Sequence, residues 1–397
     1  MRIPRFPGIG LGLLLLALWA QALYGEQSAD THPKTDPPPT LKASDLLPRD
    51  SLKGINYEIT EFVPVQERKC LFTVKAENLE FKVLGKNLLE WRLRELRAWQ
   101  RARAWDPGRN GDRAALPPVT PIQPVKHSQL TLKSYVSNPR GRLIQPTRTV
   151  EESNPLPILP PDARAGSQLQ RKLAFDLGCD PETFHPQLHT LLETLAREPQ
   201  SIPAEELGLV APRLPTPGWL NLPADQRTLL INKAPHEILQ SLDEELTALQ
   251  IPAETRQHFC HQLDLTTFQK LLLVSHFRGI QNVSGAREIF TRTASAKDEV
   301  EALDRIQELG LVQESHRREP LKTIVWEKTG AELETQAGTH ILVLAGDYLT
   351  ADEEFTKQVT QLRARHPQGT AGVYTAASIS PAARKLLDRL KIQIQDR

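Results

Sequence analysis

The sequence predicts a multi-part α+β protein: a small N-terminal antiparallel sheet with a helix, a central α-helical bundle, and a small C-terminal three-layer α/β unit. Three observations predict this fold class. Short β-prone runs precede residue 85, helical periodicity dominates residues 167–318, and strands alternate with helices in residues 320–397. Proline clusters separate these parts, and we expect linkers there because proline fixes φ and removes a backbone donor.

Residues 1–25 have the pattern of an export signal. Two arginines precede an apolar core at residues 11–20, and small residues at the end of this core predict cleavage after Ala22. A retained inner-membrane anchor is the alternative, although Pro7 and the nearby glycines shorten the uninterrupted apolar run. We therefore expect an exported protein of the periplasm or cell envelope.

Residues 26–50 are polar and rich in proline, which predicts an extended tether. Residues 51–106 predict a three-stranded antiparallel meander followed by a helix at residues 87–105. The strand-like runs are residues 57–63, 70–74 and 81–84. Leucines recur along one side of the helix, so we expect it to cover one face of the small sheet.

The helix at residues 87–105 also interleaves arginine with tryptophan, which is typical of a binding surface for an acidic partner, an anionic membrane or nucleic acid. The candidate binding residues are Arg94, Arg97, Trp99 and Arg101. The alternative is a solvated arginine face with the tryptophans packed onto the sheet. The net charge of +1 creates no global field that attracts nucleic acid, so we expect none to be bound.

Residues 107–166 form a second proline-rich linker, and residues 167–318 predict a helical domain. Apolar residues recur at helical spacing between clear start and stop residues. The clearest helices are predicted at residues 234–249, 252–263 and 266–277, followed by a longer amphipathic stretch at residues 283–310. We expect these helices to pack as an α-bundle.

Residues 320–397 change period again. Strands are predicted at residues 322–327, 339–345, 372–375 and 391–394, and helices at residues 351–366 and 381–389. Because strands and helices alternate with short connections, we expect parallel strand pairing through right-handed crossovers.

Three segments carry a resemblance to known proteins: residues 170–181, 230–290 and 374–384. On these segments the chain resembles an uncharacterised family of exported bacterial proteins with no assigned activity. The matching patterns reflect helix packing and contain no diagnostic chemistry. The resemblance implies export and a bacterial source, and it transfers no catalytic residue.

The sequence contains no nucleophile elbow, cysteine–histidine catalytic pattern or glycine-rich phosphate loop, so an enzymatic role depends on position alone. In an open α/β sheet, ligands bind outside the carboxyl ends of the strands. The candidate catalytic residues at that edge are Glu327, Asp347, Ser378 and Ser380. Asp347 is the candidate general base or metal-binding carboxylate, and the two serines are candidate anion ligands. The alternative is that Asp347 and Ser380 are turn and capping residues.

Cys179, His185 and His189 are a candidate metal site, because histidines four residues apart share one face of a helix. Pro186 places His185 at the edge of that helix and the ligand set is incomplete, so we expect no metal and no other cofactor. The cysteines Cys70, Cys179 and Cys260 allow either one disulfide with a free thiol or three buried thiols.

Together these patterns predict an exported, non-catalytic interaction or scaffold module whose partner is another envelope protein or an envelope component. Proline-rich segments beside small domains favour reach and partner contact. The alternative is a periplasmic hydrolase or anion-binding enzyme with its site at the carboxyl edge of the C-terminal sheet. A second alternative is a membrane-surface or nucleic-acid binder acting through residues 87–105. Otherwise we expect membrane contact only through an uncleaved signal.

Overall fold

The computed structural model describes residues 39–54, 57–76, 79–104, 161–183, 185–197 and 222–395. Over these ranges the chain forms fourteen helices and twelve strands, which confirms the mixed α+β class with an N-terminal antiparallel sheet and a C-terminal sheet. The predicted signal and most of both predicted proline-rich segments lie outside the described residues. None of the described helices is both long enough and apolar enough to cross a membrane.

The N-terminal sheet has five antiparallel strands in the order β1-β3-β4-β2, with β5 pairing on β4. The strands are β1 (Thr40–Lys42), β2 (Tyr57–Ile59), β3 (Phe62–Gln66), β4 (Lys69–Ala76) and β5 (Leu79–Leu84). Strand β1 and the short helices α1 (Ala43–Leu46) and α2 (Arg49–Leu52) fall where a tether was predicted. The structure differs there because Leu41 pairs with Val63, and Ala43 is buried beneath the sheet.

Helix α3 (Lys86–Ala104) packs on β4 and β5, as predicted, and also against later helices. Its leucines are buried, and so are its polar residues Asn87, Arg92 and Glu95. Arg92 forms one ion pair with Glu95 and another with Glu299. The predicted solvated arginine face therefore differs from the structure at Arg92, which is buried.

The predicted helical region is present. Its helices are α4 (Pro161–Ala165), α5 (Gln168–Leu177), α6 (Pro186–Arg197), α7 (Ala224–Asn232), α8 (Pro235–Ala248), α9 (Ala253–His261), α10 (Thr267–Arg278), α11 (Glu288–Ala294) and α12 (Glu299–Arg318). They do not form a separate bundle, because one hydrophobic core extends from the N-terminal sheet through these helices to the C-terminal sheet. A smaller core lies between the end of α3 and helices α5 and α6.

The C-terminal sheet has the order β12-β10-β8-β7-β6. Its elements are β6 (Leu321–Glu327), β7 (Gly330–Thr335), β8 (His340–Leu344), α13 (Glu353–Arg365), β10 (Ala371–Thr375), α14 (Pro381–Arg389) and β12 (Gln393–Gln395). Strands β8, β10 and β12 are parallel, as the alternation predicted. Strand β7 was not predicted, and it pairs antiparallel with both β6 and β8.

Side chains of β8 alternate between two layers of helices. Ile341 and Val343 join the main core, to which α12 contributes, whereas Leu342 and Leu344 pack with α13 and α14. The C-terminal unit therefore has three layers, with α12 on one face of the sheet and α13 and α14 on the other. Strands β9 (Tyr348–Leu349) and β11 (Ser378–Ile379) form a separate parallel pair beyond the ends of β8 and β10.

The turn between β3 and β4 joins the two sheets. Glu67 and Arg68 have φ angles of 48° and 66°, the left-handed conformation of a tight hairpin turn. The carbonyl oxygen of Arg68 accepts a hydrogen bond of 2.9 Å from the backbone N–H of Asp347. Its guanidinium donates to the side chain of Gln358 at 3.1 Å. The N-terminal hairpin is thereby fixed to the C-terminal unit.

Candidate metal centre

Asp347, a sequence-predicted catalytic residue, lies at the joint between the two sheets. Its carboxylate is buried, and Oδ2 accepts hydrogen bonds from the backbone N–H groups of Cys70, at 2.8 Å, and Lys86, at 3.0 Å. Lys86 is the first residue of α3, where backbone N–H groups have no partner within the helix. Asp347 therefore accepts a hydrogen bond from the first residue of a helix that is distant in the sequence.

The other three candidate catalytic residues have other partners. Ser380 is buried, and its Oγ caps α14 by accepting a hydrogen bond of 3.1 Å from Ala383 N–H. Ser378 is exposed and lies in β11, which pairs with β9 at the carboxyl edge of the C-terminal sheet. Glu327 forms an ion pair of 2.9 Å with Arg365. The four side chains therefore do not meet around one point.

The candidate binding residues of α3 contact other parts of the same chain. Arg97 donates to the carbonyl oxygen of Asp50 at 2.9 Å and to the hydroxyl of Tyr57. Arg101 donates to the carbonyl oxygen of Leu177 at 3.2 Å. Arg94 lies over the ring of Trp91, and Trp99 is buried against His185. Arg97, Trp99 and Arg101 therefore connect α3 to other elements, whereas Arg94 contacts a ring of its own helix.

Cys179, His185 and His189 do not gather around a common point. The Cys179 thiol donates to the carbonyl oxygen of Ala174 at 3.4 Å, and burial raises its pKa well above the usual value. His185 is buried, which lowers its pKa to about 4. His189 contacts the carbonyl oxygen of Ala163 at 3.0 Å. All three cysteines of the chain are buried and unpaired.

A dense charged cluster surrounds the loop between α5 and α6. Asp180 accepts a hydrogen bond of 2.6 Å from the Thr266 hydroxyl, and Glu182 accepts one of 3.0 Å from the backbone N–H of Thr267. Arg164 pairs with Glu182 at 3.2 Å. Burial, followed by repulsion from Glu182, raises the pKa of Asp180 to about 7. Each of these residues is less than a tenth exposed, so the cluster fastens α4 and the loop to the start of α10.

Within the described ranges, one group of three residues has the donor atoms and proximity needed to hold a metal ion. It consists of Glu332, His340 and His366, whose ligand atoms all lie within 4.8 Å of one another. His366 Nε2 donates to Glu332 Oε1 at 2.8 Å. The two imidazole rings are stacked, with centroids 3.3 Å apart and planes inclined by 12°.

The sheet and α13 together position these three side chains. Glu334 pairs with His340 in the β7–β8 ladder, and Glu332 lies two residues further along β7, on the same face. This face carries α13, and His366 is the residue that immediately follows that helix. Because His340 begins β8, the cluster lies at the amino edge of the parallel strands, opposite to the edge at which a site was predicted.

The surroundings of the cluster favour the neutral form of the His340 imidazole. Burial, with a further contribution from the adjacent His366, lowers the pKa of His340. Glu332 is 8 % exposed, and its Oε2 is shielded from solvent. The Arg365 guanidinium lies 2.7 Å from Oε2, but this ion pair lacks the geometry of a hydrogen bond. A buried carboxylate oxygen without a hydrogen bond can accept a further ligand.

Two histidines and one carboxylate match the donors found in zinc sites that keep a fourth position open. The stacked rings must adjust first, because lone pairs in nearly parallel planes do not converge on one ion. Rotation about the Cβ–Cγ bond of histidine is soft, so each ring can turn toward a shared ion without backbone movement. His366 must also lose or relocate its Nε2 proton if that atom is the ligand.

The sequence pattern did not reveal these three residues. Glu332 lies in the unpredicted strand β7, and 34 residues separate it from His366. The run Glu332-Leu333-Glu334-Thr335 alternates polar with less polar residues, which is a weak strand signal that could have placed Glu332 beside His340. No local spacing could have placed His366.

Comparison with known proteins finds no matching family model, no matching curated protein and no matching solved structure.

Proposed function

We propose that this chain is an exported, non-catalytic binding protein of the bacterial envelope, and that it binds a divalent transition-metal ion through Glu332, His340 and His366. The observation that carries the metal assignment is the convergence of their ligand atoms within 4.8 Å, on two strands and the end of α13. Imidazole with one carboxylate favours zinc, copper or nickel over magnesium or calcium, which prefer all-oxygen sites.

The metal site is compatible with an interaction role. The two histidines are only partly buried, and three protein ligands leave one position of a tetrahedral zinc ion for water or for a donor atom of a partner. An envelope partner that supplies a histidine or carboxylate would complete the coordination. In this proposal the partner binds only when the site holds metal.

The first experiment titrates zinc into the EDTA-stripped full-length protein by calorimetry. We expect one tight site, and a thermal unfolding midpoint that rises with zinc, since ligand at 100 times its Kd adds about 2.7 kcal/mol to the stability of the native state. Replacing Glu332, His340 or His366 with Gln should weaken zinc binding by at least about tenfold, or about 1.4 kcal/mol. Cobalt absorption in the visible region would report tetrahedral coordination.

The matched control is His189→Gln, because His189 was part of the sequence-predicted metal set and does not belong to the cluster. Its zinc affinity should equal that of the unmodified protein. If His189→Gln weakens binding and His366→Gln does not, the site is assigned to the wrong residues. If zinc neither binds nor shifts the unfolding midpoint, the proposed function is wrong.

A hydrolytic role is the second candidate, because the same ligand set with an open position occurs in catalytic zinc sites. The zinc-loaded protein would then hydrolyse activated esters or phosphodiesters faster than its His366→Gln variant. Equal rates for both proteins would exclude this candidate for the substrates assayed.

A further inference from the structure

Arg365 occupies the space beside the metal cluster. It is the last residue of α13 and directly precedes His366. Its Nη2 lies 2.7 Å from Glu332 Oε2 and 2.9 Å from Glu327 Oε1, so one guanidinium bridges two carboxylates. Its side chain is 42 % exposed, whereas that of Glu332 is 10 % exposed. The cation therefore has freedom to move and the carboxylate does not.

A metal ion and this guanidinium compete for Glu332. A divalent ion held by Glu332 and the two histidines would lie within a few ångströms of the permanently charged guanidinium of Arg365, and the repulsion is strong where water is partly excluded. Without the metal, Arg365 places an opposite charge beside Glu332 Oε2, the oxygen of this buried carboxylate that lacks a hydrogen bond. With the metal present, that compensation is no longer needed.

Glu327 gives Arg365 a second partner. It lies at the end of β6, outside the ligand set, and its contact with Arg365 does not depend on Glu332. Because the arginine side chain is long and partly exposed, it can leave Glu332 and keep its ion pair with Glu327. The movement needs only side-chain rotation.

Resting on the proposed function, we infer that Arg365 is a built-in competitor of the metal: it occupies Glu332 in the empty protein and transfers fully to Glu327 when the ion binds. The empty site is thereby kept stable and the affinity is lowered. The centre then takes up and releases its ion reversibly, in contrast to a structural zinc site that stays filled.

The test measures zinc affinity by chelator competition in the full-length protein. Arg365→Gln removes the competing charge, and we expect zinc to bind about 10-fold to 100-fold more tightly. The control is Lys357→Gln, which removes the same charge from an exposed position of α13, and its affinity should stay within twofold of the unmodified protein. An Arg365→Gln affinity within twofold of the unmodified protein would overturn the inference and leave the metal site standing.

A double-mutant cycle distinguishes the coupling between Arg365 and Glu327 from a nonspecific effect of removing charge near the metal. Glu327→Gln removes the second partner of Arg365, so it should weaken zinc binding in the unmodified background. In the Arg365→Gln background the same change should have less than half that effect on the logarithm of the affinity. Equal effects in both backgrounds would overturn the inference. Absence of zinc binding in every variant would instead overturn the proposed function on which it rests.

Discussion

Replacing Asp347 with Ala should destabilise the whole protein, because this carboxylate satisfies two backbone donors from other elements. Its Oδ2 accepts from Cys70 N–H at 2.8 Å and from Lys86 N–H at 3.0 Å. Hydrogen bonds to charged groups contribute about 1.5–3 kcal/mol each, and an unsatisfied buried donor costs about 1–3 kcal/mol. Cys70 is fully buried, whereas Lys86 is half-buried and water can replace its partner. We expect a loss of about 3 kcal/mol.

Urea unfolding, followed by circular dichroism and tryptophan fluorescence, measures this loss as a lower midpoint at an unchanged slope. Asp347→Asn keeps an acceptor oxygen and loses only the charge, so its cost should be about 1 kcal/mol. Ser378→Ala is the control from the same predicted site, because Ser378 is exposed and should change stability by less than about 0.5 kcal/mol.

The result that would refute this reasoning is an Asp347→Ala variant within about 0.5 kcal/mol of the unmodified protein. Such a variant would show that water or a shifted backbone replaces the carboxylate. If it also lost a measurable activity, the carboxyl edge of the C-terminal sheet would again become the candidate catalytic site.

Two further predictions concern buried titratable groups. Because the pKa of Asp180 is raised to about 7, its bound proton stabilises the folded state fully below pH 3.8, and this contribution is lost as the pH rises through about 7. The stability of Asp180→Asn relative to the unmodified protein should therefore rise between pH 5 and 8, by at most about 4 kcal/mol. Thermal unfolding measures this difference, and a difference that stays the same across that pH range would contradict the prediction. The cysteine thiols should resist a disulfide reagent until the protein is unfolded, because burial raises their pKa. For Cys70 the pKa is raised to about 12. Rapid modification of the native protein would contradict this prediction. The thiols are those of Cys70, Cys179 and Cys260.

Helices with local boundary signals were predictable from the sequence. Helix α8 was predicted at residues 234–249 and spans Pro235–Ala248, because a proline at its first position fixes the start. Helix α10 was predicted to begin near Thr266, whose hydroxyl accepts from the backbone N–H of Gln269 in a capping box. These signals depend on residues three or four positions apart, which a single sequence displays.

Elements that depend on distant partners were not predictable. Strand β1 lies in a proline-rich context and forms by pairing with β3, about twenty residues later. Helix α3 was expected to expose its arginines, but Arg92 is buried because Glu299 supplies the opposite charge. The proposed metal centre follows the same rule, since sheet register unites Glu332 with His340 and the path of α13 adds His366. Contacts between charged residues that are far apart in the chain produce no periodic pattern in the local sequence.

The joint at Arg68 has a consequence for how the chain is made. Its hydrogen bond to Gln358 connects residues 290 positions apart, and that of Cys70 to Asp347 connects residues 277 positions apart. The N-terminal sheet is therefore synthesised early but completes its contacts only after nearly the whole chain has emerged from the ribosome. Such long-range closure slows folding and leaves partly folded chains with exposed strand edges. A chain of this design therefore remains incompletely folded until its C-terminal residues have been synthesised.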